Sequence, residues 1–265
     1  MTRIGRGENG SGEDTVAVEE PLEVRLHGKP FATIMRTPGA DKDLAAGFLL
    51  SEGVISTADD LGAIEHCRHP HHPEYHNVVD VFLTGPARRK MDRHLEERRH
   101  VLSNSSCGVC GRLTIESLQR SLQPVPRSWT IDRATVADLP NRLRSQQPLF
   151  DRTGGLHAAG LFSAQGDAIA FGEDVGRHNA VDKVIGRMLM QERLPLQDAL
   201  LAVSGRASYE IVQKAWTAGV GLICAVSAPS SLAIDLAGAG EITLVGFARD
   251  GGFNVYTHRG RLRAV

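Results

Sequence analysis

The sequence predicts an α/β protein whose second half is a parallel sheet covered by helices and whose first half is a smaller α+β unit. Three observations support this prediction. Apolar runs of strand length alternate with helical segments from residue 199 onward, which is the pattern of β-α-β units. A hairpin turn at Ala164–Asp167 precedes that run. A second pair of strand-like segments lies near the N-terminus.

The length and the net charge of the chain limit the number of domains and the classes of protein to which it can belong. The chain has 265 residues, enough for one to two domains at ~150 residues each, and its formal net charge is -1. That balance argues against a dedicated nucleic-acid binder, which needs a basic surplus. No apolar stretch reaches the ~20 residues of a membrane span, and the polar N-terminus lacks the apolar core of a signal peptide. We therefore expect a cytoplasmic protein that binds no membrane.

The first part of the chain is expected to divide into a mobile tail at residues 1–16 and an α+β unit at residues 17–102. Leu22–Leu26 and Phe31–Met35 alternate apolar and polar residues on either side of a short turn. This pattern predicts a β-hairpin.

A helix and a further strand complete the N-terminal unit. Asp41 or Asp43 is placed to cap the helix, because a short acidic side chain can accept the free N–H groups of a first turn. Residues 77–84 are β-branched and predict a strand. Residues 86–100 carry dense charges of both signs, which indicates a solvated helix or connector.

The C-terminal unit, residues 113–265, is expected to open with two helices, Leu113–Leu122 and Ala134–Phe150, the second interrupted by Pro140. A hairpin and a helix after Gly176 follow. Three parallel strands then alternate with helices, at Ala199–Val203, Leu222–Val226 and Ile242–Phe247.

The carboxyl ends of these parallel strands are a candidate binding crevice, since ligands of open α/β sheets bind there. The segments that follow the strands are Ser204–Ser208, Ser227–Ser231 and Ala248–Gly252, rich in glycine and serine and including Arg206 and Arg249. Two of them precede helix N-termini, which suit phosphate groups. The alternative is that they are ordinary helix caps.

The strongest local signal is a C-x-x-C pair, Cys107 and Cys110, set among small residues. We expect residues 103–112 to form a mobile, exposed loop. A neighbouring arginine, Arg112, and the start of a following helix would raise the thiolate fraction. The pair admits redox exchange, metal ligation or sulfur relay through a persulfide.

Two competing uses of the pair are less well supported. A zinc site needs four ligands, and the tract His66–His76, which could supply the rest, has irregular spacing. A thioredoxin-like pair is expected between a strand and a helix, whereas a charged stretch and a serine-rich loop precede this one. Cys224 lies in an apolar run and is expected to be a buried small hydrophobe. Cys67 stays unassigned.

A second polar segment runs from Gly172 to Lys183. His178 and Asp182 are four residues apart and share a helix face, and Arg177 and Asn179 crowd the helix start, where an anion or polar substrate could dock. The alternative is a capped surface helix with ion pairs. His157 faces the same region if the hairpin packs on this helix.

The order of elements in the C-terminal unit is that of the cytidine deaminase fold. Deaminases carry H-x-E on the helix after the hairpin and P-C-x-x-C at the next helix start. This chain has His178-Asn179-Ala180 and Ser204–Ser208 at those places. It therefore lacks the glutamate and the cysteines, so the scaffold is expected without zinc deamination.

Five segments together resemble the FdhD family of formate dehydrogenase accessory sulfurtransferases. They are TPGADKDLAAGFLLSEG at residues 37–53, SSCGVCG at 105–111, GEDVGRHNAVDK at 172–183, SGRASYEIVQKA at 204–215 and the LVGFAR…FNVYTH ending. The resemblance runs in order from about residue 18 to the C-terminus. Long motifs make it more specific than a lone C-x-x-C.

The resemblance implies a sulfur carrier and sulfurtransferase. Cys107 would take persulfide sulfur from a cysteine desulfurase, with Cys110 as the assisting or resolving partner. The loop would then carry the sulfur to the molybdenum bis(guanine dinucleotide) cofactor of formate dehydrogenase, for which GDP is a mimic. The residues expected to bind that cofactor combine the segment that the family implicates with the crevice: Phe247, Ala248, Arg249, Asp250, Gly251, Gly252, Arg206, Ser204 and His178.

A different class of function remains open. The chain could be a non-catalytic chaperone that holds the cofactor and the apo-enzyme, with cysteines that serve stability or metal binding. No protein-bound metal is expected under the carrier hypothesis. A symmetric homodimer is the default oligomer because it is the commonest.

Overall fold

The computed structural model describes residues 1–3, 10–67, 75–99 and 122–263. Within these ranges the chain is a mixed α/β protein with a four-stranded sheet, a six-stranded sheet and a two-stranded ribbon. The ribbon pairs β1 (Thr2–Arg3) with β2 (Gly10–Ser11) in antiparallel register. The predicted mobile tail therefore contains paired backbone, which short glycine-rich segments can form without any core.

The four-stranded sheet belongs to the N-terminal unit and has the order β4-β3-β6-β5. The predicted hairpin is confirmed, because β3 and β4 pair antiparallel, and β6 then joins β3 in parallel. The bounds of these strands are Glu20–Leu26 (β3), Lys29–Arg36 (β4), Leu61–His66 (β5) and Val78–Leu83 (β6).

Two helices of this unit differ in detail from their predictions. Helix α1 (Asp41–Ser51) begins after Ala40, and no aspartate side chain caps it. Asp41 instead forms a buried ion pair with Arg36, with 3.0 Å between Oδ1 and Nε. Helix α2 (Gly85–Arg99) exposes its charged side chains up to Glu96 but buries three apolar side chains spaced four residues apart, Ala87, Met91 and Leu95. It is therefore packed on the unit rather than merely solvated.

The six-stranded sheet has the order β12-β11-β10-β9-β7-β8. Its centre confirms the predicted β-α-β-α-β run, because β9, β10 and β11 are parallel neighbours. The remaining pairs are antiparallel, including the hairpin β7–β8. The strand bounds are His157–Ser163 (β7), Ala168–Asp174 (β8), Ala199–Val203 (β9), Leu222–Ala225 (β10), Thr243–Arg249 (β11) and Gly252–Thr257 (β12).

Five helices accompany this sheet in the described part of the chain. The segment predicted as one interrupted helix divides into two, because the chain turns between them ahead of Pro148. The predicted helix at residues 113–122 falls outside the described residues except for its last position. The helices are α3 (Arg133–Arg144), α4 (Pro148–Thr153), α5 (Arg177–Met190), α6 (Tyr209–Thr217) and α7 (Ser231–Ala239).

Helices α1 and α5 cross at two glycines, and this crossing joins the two units. A Cβ built on Gly47 would overlap the backbone carbonyl of Asp182, and one built on Gly186 would overlap that of Asp43. Because no side chain separates the helices there, their backbones touch. One hydrophobic core consequently includes residues of both units. None of the described helices is long and apolar enough to cross a membrane.

Gly186→Ala is expected to lower the free energy of unfolding by about 1–3 kcal/mol, since the helices must separate to admit the methyl group. Gly238→Ala is the matched control, because a Cβ there meets nothing within 4 Å. That helix position is expected to be neutral or to gain up to ~1 kcal/mol. Urea unfolding measures both variants, and a Gly186→Ala variant as stable as Gly238→Ala would contradict the contact.

Candidate functional site

The two thiols of the C-x-x-C motif, Cys107 and Cys110, lie outside the described residues. The chain that follows them is anchored at the amino edge of the parallel strands. The backbone N–H of Val125 donates to Gly240 (2.9 Å), and the buried Arg261 donates to the carbonyls of Val125 and Pro126. Trp216 Nε1 donates to the carbonyl of Gln123 at 2.8 Å.

A cavity of about 620 Å³ lies at the opposite, carboxyl edge of the sheet. Ser204 follows β9, Val226 follows β10, and Arg249 with Asp250 ends β11, so all three predicted strand ends contribute to its lining. His157, at the start of β7, adds an imidazole. The crevice predicted from the β-α-β pattern is therefore present as a cavity of ligand-binding size.

The other residues predicted for the crevice are placed differently. Arg206 is exposed and does not line the cavity, and Ala248 is fully buried, so its side chain belongs to the core. Phe247 is 38% exposed, and the guanidinium of Arg249 lies 5.9 Å from the centre of its ring. Gly251 and Gly252 form the exposed turn into β12. Arg249 thus has both a cavity and an aromatic face beside it.

One wall of the cavity was not predicted from the sequence. It is built by the end of α3, by α4 and by the loop that leads into β7. Arg144 stacks 4.8 Å from the centre of the Phe150 ring and forms an ion pair with Asp151. The sequence does show a basic last turn of α3 and, ten residues after Arg144, a pair of glycines. Spacing alone could not place this turn over the edge of the sheet. The wall residues are Pro140, Asn141, Leu143, Arg144, Gln147, Phe150, Gly154, Gly155 and Leu156.

His178 lies at the position that the deaminase comparison indicates, where the starts of α5 and α6 meet. Its Nε2 is 2.7 Å from Glu210 Oε2 and 3.1 Å from Ser208 Oγ. Both partners meet the same ring nitrogen, so this is not a relay from a hydroxyl to a carboxylate. In the described part of the chain no three His, Cys, Asp or Glu side chains cluster as metal ligands. A histidine–carboxylate pair thus occupies this place.

The rest of the Gly172–Lys183 segment holds the two units together. Asp174 is fully buried, and its Oδ2 lies 2.8 Å from Lys183 Nζ and accepts the N–H of Thr37 at 3.1 Å. Its Oδ1 accepts from Asn179 Nδ2 and from the N–H of Gly176, both at 2.8 Å. Asn179 is therefore engaged within the protein, although this helix is largely buried and has no side-chain cap, unlike the capped surface helix of the alternative.

Asp182 serves the same attachment one turn further along α5. Its carboxylate accepts from Lys214 Nζ at 2.8 Å and from Ser51 Oγ of α1 at 3.1 Å. Burial raises the pKa of Asp182, and the adjacent Lys214 opposes that rise. Asp182 and His178 do share a helix face, as the spacing predicts, yet each has its own partner on α6.

Cys224 confirms its prediction as a core residue. It is 1% exposed, and burial raises its pKa to about 12. Its thiol is therefore protonated near neutral pH and unsuited to nucleophilic attack. Cys67 is a free, partly exposed cysteine at the end of β5.

These features define a class: an α/β protein that joins a deaminase-like sheet with a carboxyl-edge cavity to a unit preceding a C-x-x-C motif. The model of the FdhD/NarQ family matches residues 17–263. The chain belongs to that family.

Named relatives are similar in sequence to this chain over almost its whole length. It is 50% identical over 259 residues to sulfur carrier protein FdhD of Anaeromyxobacter dehalogenans strain 2CP-C, covering 96% of this chain and 90% of that protein. It is 49% identical to sulfur carrier protein FdhD of Streptomyces avermitilis, covering 100% and 95%. A crystal structure described as a formate dehydrogenase accessory protein from Desulfotalea psychrophila superposes with a TM-score of 0.77 at 25% identity, covering 99% and 97%.

Proposed function

We propose that the chain is a sulfur carrier that takes persulfide sulfur from a cysteine desulfurase and delivers it to the molybdenum bis(guanine dinucleotide) cofactor for formate dehydrogenase. Two things support this proposal together: membership of a family whose relatives are named sulfur carriers, and a C-x-x-C motif in a chain with a large cavity at the carboxyl edge of its sheet. The cavity is the single structural observation that carries it.

The first half-reaction needs only one thiolate. Cys107 attacks the outer sulfur of the donor persulfide, an S–S bond forms on Cys107, and the old S–S bond breaks to release the donor cysteine thiolate. Sulfur oxidation levels are conserved, so this exchange needs no oxidant or reductant. Cys110, three residues further along the chain, is the assisting or resolving partner in this proposal.

The second half-reaction needs a place for the acceptor. A cavity of about 620 Å³ accommodates a nucleotide portion, and Arg249 gives it positive charge for phosphate, whereas Arg144 is already paired with Asp151. The hydroxyl of Ser204, which lines the cavity, can donate a hydrogen bond, whereas its backbone N–H is already bonded to Ala158. The face of the Phe247 ring, beside Arg249, is an apolar surface on which a flat base can stack. We assign the guanine nucleotide part of the acceptor to this end of the cavity.

The length of chain between the thiol and its anchor permits such delivery. Fifteen positions separate Cys107 from Leu122, where the described chain resumes at the amino edge. An extended chain of that length spans up to ~50 Å. Strand β9 has five residues, so the two edges of the sheet are only ~17 Å apart along it. By its number of residues alone, this stretch of chain is long enough to span from one edge of the sheet to the other.

A thiol-specific mass measurement tests the proposal. The full chain is incubated with a cysteine desulfurase and L-cysteine and then digested, and one added sulfur atom is expected on the peptide that contains Cys107. The non-catalytic chaperone is the competing outcome: it predicts nucleotide binding with no added sulfur. Stoichiometric zinc on the C-x-x-C peptide without added sulfur would also overturn the carrier proposal.

A further inference from the structure

We propose that Gln147 is a specificity-determining residue of the cavity, and that its side-chain amide pairs with the lactam edge, a carbonyl beside an N–H, of a flat heterocycle bound there. This inference rests on the proposed function and deepens it, because the proposed acceptor carries that edge on two kinds of ring, its guanine bases and its pterins. Gln147 lies outside the C-x-x-C motif and outside the strand-end segments expected to bind the cofactor.

The side chain of Gln147 is buried and yet belongs to the lining of the cavity. The residue is 4% exposed and lies between α3 and α4, in the wall over the sheet edge. A buried amide normally has partners within the protein, because burying an unpaired polar group costs free energy. Within the described ranges, however, neither Nε2 nor Oε1 of Gln147 has a hydrogen bond. These two atoms are not among those that the protein seals off without a partner, so the amide reaches the cavity with both groups unused.

The capping of α4 explains why this amide is unused. Gln147 is the residue before the helix, and a residue at that place commonly accepts the free N–H groups of the first turn with its side chain. Here the carboxylate of Glu173, from β8, accepts the N–H groups of Leu149 at 3.0 Å and of Phe150 at 2.8 Å. The first residue of the helix, Pro148, has no N–H to satisfy. The start of α4 therefore does not need the Gln147 side chain, which is left for the cavity.

The backbone of Gln147 is held in place by its own contacts. Its carbonyl accepts the N–H of Asp151 at 3.0 Å, and Asp151 in turn forms an ion pair with Arg144 of α3. Because these contacts tie the residue to the helices on both sides, the amide is presented at a defined place. Little further ordering of the chain is then needed when a ligand binds, and preorganisation of this kind favours affinity.

The surfaces beside Gln147 suit a flat ring. Leu143 and Leu156 are buried apolar residues of the cavity lining, and Phe150 adds an aromatic ring. The other amide side chain of this wall, Asn141, is exposed, and its Nδ2 already donates to a carboxylate of α3 at 3.2 Å. Small-molecule sites combine apolar walls with a few polar groups that fix the orientation of the ligand. On this wall Gln147 is the amide available for that task.

An amide and a lactam can form two hydrogen bonds side by side. The Nε2 group of Gln147 donates to the ring carbonyl, and its Oε1 accepts the ring N–H. Glutamine contacts base edges in this bidentate manner in nucleic-acid recognition. A ring without the carbonyl and the adjacent N–H leaves both amide groups unpaired, and sites built on hydrogen bonds reject such analogues. Gln147 therefore determines which heterocycle binds, whereas Arg249 provides charge for phosphate.

The test compares ligands that differ only in the lactam. GDP and the diphosphate of 2-aminopurine riboside form one pair, and pterin and 2-aminopteridine form the other, since the second member of each pair lacks the carbonyl and the adjacent N–H. Dissociation constants for the full-length protein are measured by calorimetric or fluorescence titration. We expect the wild-type protein to bind the lactam member of at least one pair about tenfold more tightly, as two net hydrogen bonds allow.

Gln147→Met should abolish that preference, because methionine is of similar length and has neither the donor nor the acceptor. Its affinity for the analogue without the lactam should stay close to that of the wild-type protein. Gln146→Met is the matched control: Gln146 is the adjacent glutamine, is exposed and does not line the cavity, so the preference should remain. A loss in the GDP pair assigns the guanine edge to Gln147, and a loss in the pterin pair assigns the pterin edge to it.

The remaining outcomes contradict the inference. A wild-type protein that binds none of the four probes, or both members of each pair equally, overturns it without any variant, and so does a Gln147→Met variant that keeps the preference. If Gln147→Met is misfolded by its thermal midpoint, Gln147→Asn decides, since it sets the amide back by one methylene and should also lose the preference. Sulfur uptake at Cys107, counted by mass on the same wild-type protein, tests the carrier function separately, so the two failures are distinguishable.

Discussion

Cys107→Ala is expected to take up no sulfur from a cysteine desulfurase and to give no activation of formate dehydrogenase. The reason is chemical: alanine has no atom that can attack the donor persulfide or carry its outer sulfur. Guanine nucleotide binding should be unchanged, because the cavity at the carboxyl edge of the sheet is built from residues far along the chain from Cys107. Calorimetric titration with GDP measures nucleotide binding, and the mass of the peptide that contains position 107 measures sulfur uptake.

Two other cysteines provide matched controls. Cys67→Ala removes a free, partly exposed thiol and should leave sulfur uptake intact. Cys224→Ala removes a thiol that is 1% exposed, so its effect should appear in stability rather than in uptake. Full transfer by Cys107→Ala would show that the carrier proposal has the wrong nucleophile.

Lys183→Met is expected to lower the free energy of unfolding by about 3–5 kcal/mol, the cost of leaving one partner of a buried ion pair alone. Asp174 is fully buried and would lose the ammonium that lies 2.8 Å from its carboxylate. The carbonyls of Thr37 and Glu173 would also lose a donor. Chemical denaturation followed by circular dichroism measures the change.

Lys42→Met, at an exposed position of α1, is the control and should change stability by less than ~0.5 kcal/mol. Adding Asp174→Asn to Lys183→Met should recover part of the loss, because the unpaired charge is then gone. A Lys183→Met variant as stable as the control would mean that the pair contributes nothing to the attachment of the two units.

Much of the fold could be predicted because local sequence patterns determine its hairpins and its parallel strands. The hairpin β3–β4 follows from alternation around a turn, and the parallel strands β9 to β11 follow from apolar runs separated by helical spacing. Predictions at the ends of elements were weaker. Asp41 has a capping residue type at a capping place, yet it pairs with Arg36, because a buried guanidinium binds the carboxylate more strongly than free amides do.

The site was predictable only where it follows from topology. Strand ends of a parallel sheet must meet at one edge, so the lining by Ser204 and Arg249 could be expected from spacing. Arg144 and Phe150 could not, because their place over that edge depends on how α3 and α4 pack. For Asn179 the prediction failed in the opposite way, because a residue assigned to the site belongs to the protein's own hydrogen-bond network. A dense polar segment predicted a docking site, but that side chain binds Asp174 and the carbonyl of Met35 instead.

The network around Asp174 links the docking of the first unit to the position of the start of α5. The same carboxylate accepts the N–H of Thr37 from the first unit and the N–H of Gly176, the residue before Arg177 and the start of α5. A ligand that favours this arrangement of α5 must tighten the docking of the first unit, and docking must tighten the ligand by the same factor. Any contact that moved the start of α5 would therefore also change how tightly the first unit is held.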